Sequence, residues 1–194
     1  MISERKIIAA LQVSLDGLIE GPGGEVDWIE NWDDPFELLP EIDTCVLEGG
    51  MYPGYEDYWL SILADPTGVQ PLTGRPPSEE EVAYARFADR TPHIVLSKTL
   101  DDIRWQTARI ARDVEEIRQL KREPGKNIHA VGGASLVSSL MNEGLVDEIR
   151  ITVNPVVLGR GKALFKDVND REQLSFVGSQ PLSSGRINLV YRVP

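Results

Sequence analysis

The segment Ile128-His129-Ala130-Val131-Gly132-Gly133-Ala134-Ser135-Leu136 passes from an apolar strand pattern through two glycines into a helix pattern. Gly132 and Gly133 let the backbone turn sharply and leave no Cβ to block a ligand. The N–H groups and positive dipole end of the following helix then face whatever lies at the turn, which is the chemistry of a pyrophosphate site. A plain tight turn from strand to helix uses the same residues, and two glycines alone do not separate the readings.

Two further segments carry possible chemistry. Ser14-Leu15-Asp16-Gly17-Leu18-Ile19, then Gly21-Pro22-Gly23-Gly24 and Val26-Asp27-Trp28, read as a loop that closes over a ligand with Trp28 as an apolar lid. The plainer alternative is a surface hairpin in which Trp28 is core and Asp16 caps a turn. Ser97-Lys98-Thr99 ends a strand-like run, and its hydroxyls and ammonium suit a phosphate, or else form a solvated loop. The aromatic group Tyr52, Tyr55, Tyr58 and Trp59 offers a stacking wall for a flat substrate, or a locally packed proline-rich loop. One cysteine (Cys45) and two histidines (His93 and His129, both in strand runs) supply too few ligands for a transition-metal site, so no metal is expected. Neither a GxxxxGK[ST] loop nor a GxSxG elbow occurs.

The elements that must position these groups follow from the hydrophobic pattern. Lys6 to Val13, Asp43 to Leu47, His93 to Ser97, Thr107 to Ile110 and Asn127 to Val131 read as strands, the first near-continuously apolar as in a strand covered on both faces. Asp34 and Pro35 read as the N-cap and first residue of a short helix. Ser78 and Glu81 form a capping box for another, and Asp113 caps a helix bearing Val114, Ile117 and Leu120 that stops at Pro124-Gly125. A helix burying Leu136, Val137, Leu140 and Met141 follows the two glycines. Glu148 to Val153, Leu174 to Val177 and Ile187 to Val193 alternate as half-exposed strands, the last two joined around Ser183-Ser184-Gly185. Met51 to Arg90, with five prolines, is the least regular stretch and reads as an excursion carrying site residues. The sum is an α/β chain with a mixed sheet of about eight strands in one domain, 1–194, with a divergent excursion at 51–90.

Composition narrows the partners. Thirty-one acidic against twenty basic residues give a net charge of −11, which repels phosphate backbones and makes nucleic acid an unexpected partner. An anionic cofactor must then be held by a local device that overrides the global field. No apolar run approaches the roughly 20 residues of a membrane span, no signal-peptide layout is expected, and a single cysteine suits a reducing compartment. A cytoplasmic protein without membrane partners is the expectation.

Taken in order, IIAALQVSLDGLIEGPGG with EVDW, VLSKTL, and IHAVGGASLVSSLMNEGLVDEIRITVNPVVLGRGKALF resemble the dihydrofolate reductase superfamily, and more closely its branch related to the reductase domain of riboflavin biosynthesis. The resemblance covers most of the chain outside 51–90. It implies a three-layer dihydrofolate-reductase-like fold, mostly parallel, with flanking helices and a C-terminal antiparallel hairpin. It implies NADPH across the carboxyl ends of the strands. Gly132, Gly133, Ala134, Ser135 and Leu136 would hold the pyrophosphate, Ser97, Lys98 and Thr99 the adenosine phosphate, and backbone of Ala10 and Leu11 the carboxamide. Gly49 and Gly50 would complete the cofactor side, while Asp16, Trp28, Tyr52 and Tyr55 would line the substrate. The expected reaction is hydride transfer to a small pterin- or pyrimidine-like heteroaromatic, in a homodimer. After the second strand the family usually has Gly-Arg, a basic residue and Thr-Tyr, with the arginine and threonine on cofactor phosphates. Here Glu48-Gly49-Gly50-Met51-Tyr52 stands instead. This departure leaves NADH or a flavin as alternative cofactors, and a non-catalytic nucleotide-binding module as the alternative function. Reducing C=N or C=O also needs a proton, for which Asp16, Asp33 and Glu48 are the candidates. Asp33 lies five residues after Trp28, the spacing of the acid in dihydrofolate reductase, and also reads as part of a helix start.

Overall fold

Ile7–Ser14 (β1) carries apolar side chains on both faces, and Ile7, Ile8 and Ala9 are fully buried. Such a strand belongs inside a sheet covered by helices on both sides. Leu18–Glu20 (β2) follows a turn at Gly17, and Ile42–Glu48 (β3) comes next. Tyr52–Ala64 (α1) and Glu79–Arg90 (α2) lead to His93–Leu96 (β4) and Ala108–Ala111 (β5). Val114–Arg122 (α3), Asn127–Gly132 (β6), Ala134–Asn142 (α4) and Glu148–Asn154 (β7) continue the alternation. Lys162–Ala163 (β8), Ser175–Pro181 (β9) and Ile187–Arg192 (β10) complete it. This computed structural model describes residues 5–30, 32 and 34–194, and no helix within them is long and apolar enough to cross a membrane.

Eight strands form one sheet in the order β5-β4-β3-β6-β1-β7-β10-β9, while β2 and β8 pair separately. From β5 to β7 all neighbours are parallel, and β10 runs antiparallel to both β7 and β9. The mixed, mostly parallel sheet with a C-terminal antiparallel pair is therefore as the sequence implied. One apolar cluster packs α3 and α4 against one face of the sheet, and a second packs α1 and α2 against the other. Because the six neighbouring strands from β5 to β7 run the same way, their carboxyl ends share one edge, and the loops that leave them are the natural place for a site.

Two expectations are corrected. Residues 52–64 are an ordered helix of 13 residues, not irregular chain. Pro53 sits in its first turn, where the missing N–H costs nothing, and Tyr52, Tyr55, Trp59 and Ile62 repeat at helical spacing on its buried face. Conversely, no helix starts at Pro35. The Asp34 carboxylate accepts from the N–H groups of Leu38 and Leu39 at 2.8 and 2.9 Å, and so caps a short 3₁₀ turn over Leu39–Glu41.

Two buried carboxylates hold the α1–α2 side together. Glu56 accepts from the backbone N–H groups of Arg104 and Trp105 and from the Tyr52 hydroxyl, and pairs with the Arg104 guanidinium at 2.8 Å. Glu81 accepts from Ser78 N, Trp32 N, the Tyr58 hydroxyl and Arg75. Burial alone would raise the Glu81 carboxyl, but Arg75 and these N–H donors outweigh it and hold the group below the ordinary glutamate range. Nearby, His93 is fully buried against Trp105, its Nδ1 2.7 Å from Thr91 O and its Nε2 3.2 Å from the Tyr55 hydroxyl.

Burial pushes both His93 and His129 down to about 4. A histidine lowered in the folded state stabilises fully above its unfolded value of about 6.5 and loses that contribution as pH falls toward its folded value. Stability should therefore fall between pH 7 and pH 5 by about 2 kcal/mol per histidine. Urea melts at the two pH values check this, and the His93→Gln variant should show about one proton less uptake on unfolding. An unchanged pH slope in that variant would contradict the assignment.

Candidate functional site

At the shared carboxyl edge, β6 ends in the Gly132–Gly133 turn that opens α4, the two glycines being joined by a cis peptide bond. Gly132 has φ +133°, and a Cβ there would lie 3.1 Å from Leu11 Cδ2 of β1. The turn is thus pressed against the strand whose Ala10 and Leu11 the sequence singled out. Ala134 and Leu136 are buried, and Ser135 is exposed at the first turn of α4. No side chain of the preceding residue caps this helix, because that residue is Gly133.

The cap comes from β3 instead. Glu48 Oε2 accepts from Leu136 N at 3.2 Å, and Glu48 Oε1 lies 2.9 Å from where a Gly133 Cβ would be. A carboxylate therefore rests in the position that favours an anion. Lys162 of β8 lies 3.9 Å from Glu48 Oε1 and 2.7 Å from Glu20 Oε1. The Glu20 hydrogen bond holds the Lys162 ammonium above the usual lysine range. Lys162 escaped the sequence reading although it directly follows the glycines of Gly159-Arg160-Gly161; a cation beside such a loop was the available signal.

The loop after β1 is tied down. Asp16 accepts from the Ser14 hydroxyl at 2.7 Å, from Leu158 N at 3.1 Å and from Gly159 N at 2.8 Å. The Ser14 hydroxyl and these two N–H groups bring Asp16 down to about 2, so the carboxylate is an anchor and is poorly suited to deliver a proton. β2 pairs with β8 beside it, and Gly161 (φ +150°) allows the approach: a Cβ there would fall 2.1 Å from Glu20 O. Of the two readings of this loop, a closing loop and a hairpin in which Asp16 caps a turn, the hydrogen bonds show Asp16 tying the loop to residues 158–159. Trp28 sits half-buried in this region, its indole N–H donating to Glu25 O at 3.2 Å. A cleft of about 560 Å³ opens beside the clamp, between Glu20, Gly21, Gly161, Lys162 and Lys166.

Ser97, Lys98 and Thr99 lie on the same edge. The Ser97 hydroxyl accepts from Leu100 N at 3.0 Å, shaping a tight turn that leaves Lys98 and Thr99 exposed. Arg112 braces the turn, donating to Ser97 O and Leu100 O at 3.0 and 2.8 Å, and is a second cation that sequence reading missed. Gly49 lets β3 close on this turn, since a Cβ there would meet the Ser97 side chain at 2.3 Å, while Gly50 faces open space.

The tyrosines contradict their assigned role. Tyr52 is fully buried and Tyr55 is 7% exposed. Tyr55 bonds the Tyr84 hydroxyl at 2.9 Å and packs edge-on to Trp59 and Trp105. They are the core of the α1–α2 layer and cannot stack on a substrate. Asp33 lies outside the described residues. A cavity of about 390 Å³ instead opens across the sheet, among Pro35, Phe36, Arg150, Gln180, Asn188 and Val190. Its Arg150 belongs to β7 and stands in register with Ala10 of β1.

The fold and this edge define a dihydrofolate-reductase-like domain. A dihydrofolate reductase from Enterococcus faecalis, solved in complex with NADP(H) and RAB-propyl, superposes with a TM-score of 0.59 at 17% identity, over 97% of this chain and 96% of that one. A putative riboflavin biosynthesis protein from Shewanella sp. PV-4 superposes with a TM-score of 0.69 at 21% identity, over 97% and 99%. The uncharacterized protein YyaP of Bacillus subtilis (strain 168) is 38% identical over 193 residues, 98% of this chain and 96% of its own length. The RibD C-terminal domain family matches residues 67–187, and the chain belongs to that family.

The Asp16 anchor yields a direct test. Asparagine keeps one acceptor where aspartate supplies two, so Asp16→Asn should speed amide exchange at Leu158 and Gly159 by about tenfold. In the wild type their protection should hold above the unfolded aspartate value of about 3.9 and be lost as pH falls through about 2. Hydrogen exchange read by NMR decides it, and unchanged rates in the variant would remove Asp16 from the clamp.

Proposed function

We propose that this chain is a nicotinamide-dependent reductase that passes a hydride to a small heteroaromatic of pterin or pyrimidine type. The observation that carries the reading is the Gly132–Gly133 turn, which opens α4 directly against Leu11 at the carboxyl edge of the parallel strands. Its shape suits a diphosphate, because neither glycine places a side chain in the way and the first turn of α4 supplies N–H donors. Gly132 to Leu136 would hold the diphosphate, and Ser97, Lys98 and Thr99, braced by Arg112, the adenosine phosphate. Ala10 and Leu11 would receive the carboxamide.

NADPH, when bound, supplies the hydride; the task of the chain is to orient it and keep water out. The substrate would lie in the cavity beside Arg150, where Phe36 offers a ring face and Gln180 hydrogen-bonding groups. Among the proteins that share the fold, one is a dihydrofolate reductase solved with NADP(H) and another is described as a putative riboflavin biosynthesis protein, and the first of these descriptions supports the choice of cofactor.

Titrating the protein with NADPH, NADH and reduced flavin, followed by ligand fluorescence, tests the reading. NADPH should bind at micromolar to millimolar concentration, and its oxidation should accelerate with a dihydropteridine or an aminopyrimidine acceptor. Gly133→Leu should weaken NADPH at least a hundredfold, a cost of about 3 kcal/mol, read on variant protein shown by circular dichroism to be folded. Absence of nicotinamide binding at millimolar concentration would end the proposal.

A further inference from the structure

Glu48 occupies the end of α4 where a phosphate would stand, and we propose that it is a built-in competitor that sets the affinity of the site for diphosphate-bearing ligands. Its carboxylate bonds Leu136 N, lies against Gly133 and is only 18% exposed. One ammonium, Lys162, is shared between Glu48 and Glu20, so the three groups carry one net negative charge before any ligand arrives. A diphosphate adds further negative charge and needs the same N–H donors. Both cannot occupy the end of α4.

Binding therefore exchanges one anion for another. Glu48 releases Leu136 N, and Lys162 turns from the carboxylates to the phosphate. The cleft beside Lys162 and Lys166 gives the arriving group its path, and Gly161, which has no room for a Cβ, keeps Lys162 at the mouth. Glu48 is thus a specificity-determining residue: it penalises weakly bound anions and admits a ligand whose other contacts make up the difference. The inference rests on reading the α4 end as the diphosphate site, and its test is built to fail separately from that reading.

Calorimetric titration of the full chain with NADPH, and separately with inorganic pyrophosphate, compares wild type with Glu48→Gln, Glu48→Ala and Lys162→Met. Both Glu48 variants should bind pyrophosphate and NADPH about tenfold or more tightly than wild type, and Lys162→Met about tenfold more weakly. In the wild type the Leu136 amide resonance should shift as Glu48 leaves. Glu48→Gln keeps the size of the side chain, so a folding defect confined to Glu48→Ala does not blunt the comparison. Equal or weaker pyrophosphate binding by folded Glu48→Gln overturns the inference, as does failure of every variant to bind either ligand. Pyrophosphate binding that tightens while NADPH stays unbound upholds the competitor and overturns the nicotinamide reading.

Discussion

The placement of β1 between two parallel neighbours governs everything at the functional edge. Ile8 pairs with His129 of β6 on one side and Glu148 of β7 on the other, and both faces of the strand are covered. A strand so enclosed has no freedom of register, because a slip by one residue would exchange its two apolar faces and unpair its backbone. Gly132 then has to emerge beside Leu11, and the end of β3 has to deliver Glu48 to the first turn of α4. Strand register thus fixes where the polar groups of this edge meet.

The two edges of the sheet are treated differently. At the amino edge Asp147 accepts from Ile7 N at 2.7 Å and pairs with Lys121 at 2.6 Å, while Arg5 joins Asp43 and Thr44. These bonds lock the strand starts to α3 and to each other. At the carboxyl edge Glu20, Lys162 and Glu48 are part exposed, and the two carboxylates share one cation.

Most of the fold was legible because its signals are local. The apolar runs of β1, β3, β4 and β6, the capping box of Ser78 and Glu81, and the Asp113 cap each work within a few residues. The α1 helix was obscured by Pro53 and by aromatic residues that suggest a surface wall, although the spacing of Tyr52, Tyr55, Trp59 and Ile62 already marked one buried helical face. The site was only half legible. Its glycines could be read, since a turn announces itself in sequence. The Lys162–Glu48 and Asp16–Leu158 contacts join residues more than a hundred positions apart, and no period or cap encodes such a meeting.

The acidic balance of the chain gives Glu48 its physical sense. An open α4 end would leave buried N–H groups without an acceptor, which costs about 1–3 kcal/mol for each unsatisfied group. An arginine at the end of β3 would serve a bound phosphate but could not accept from Leu136 N; a carboxylate can. Glu48 therefore stabilises the turn as it stands, with the Lys162 ammonium 3.9 Å from its carboxylate. In a protein of net charge −11 the α4 end is thus satisfied by a carboxylate of the chain itself, with the Lys162 ammonium held by Glu20 and within ion-pair distance of Glu48.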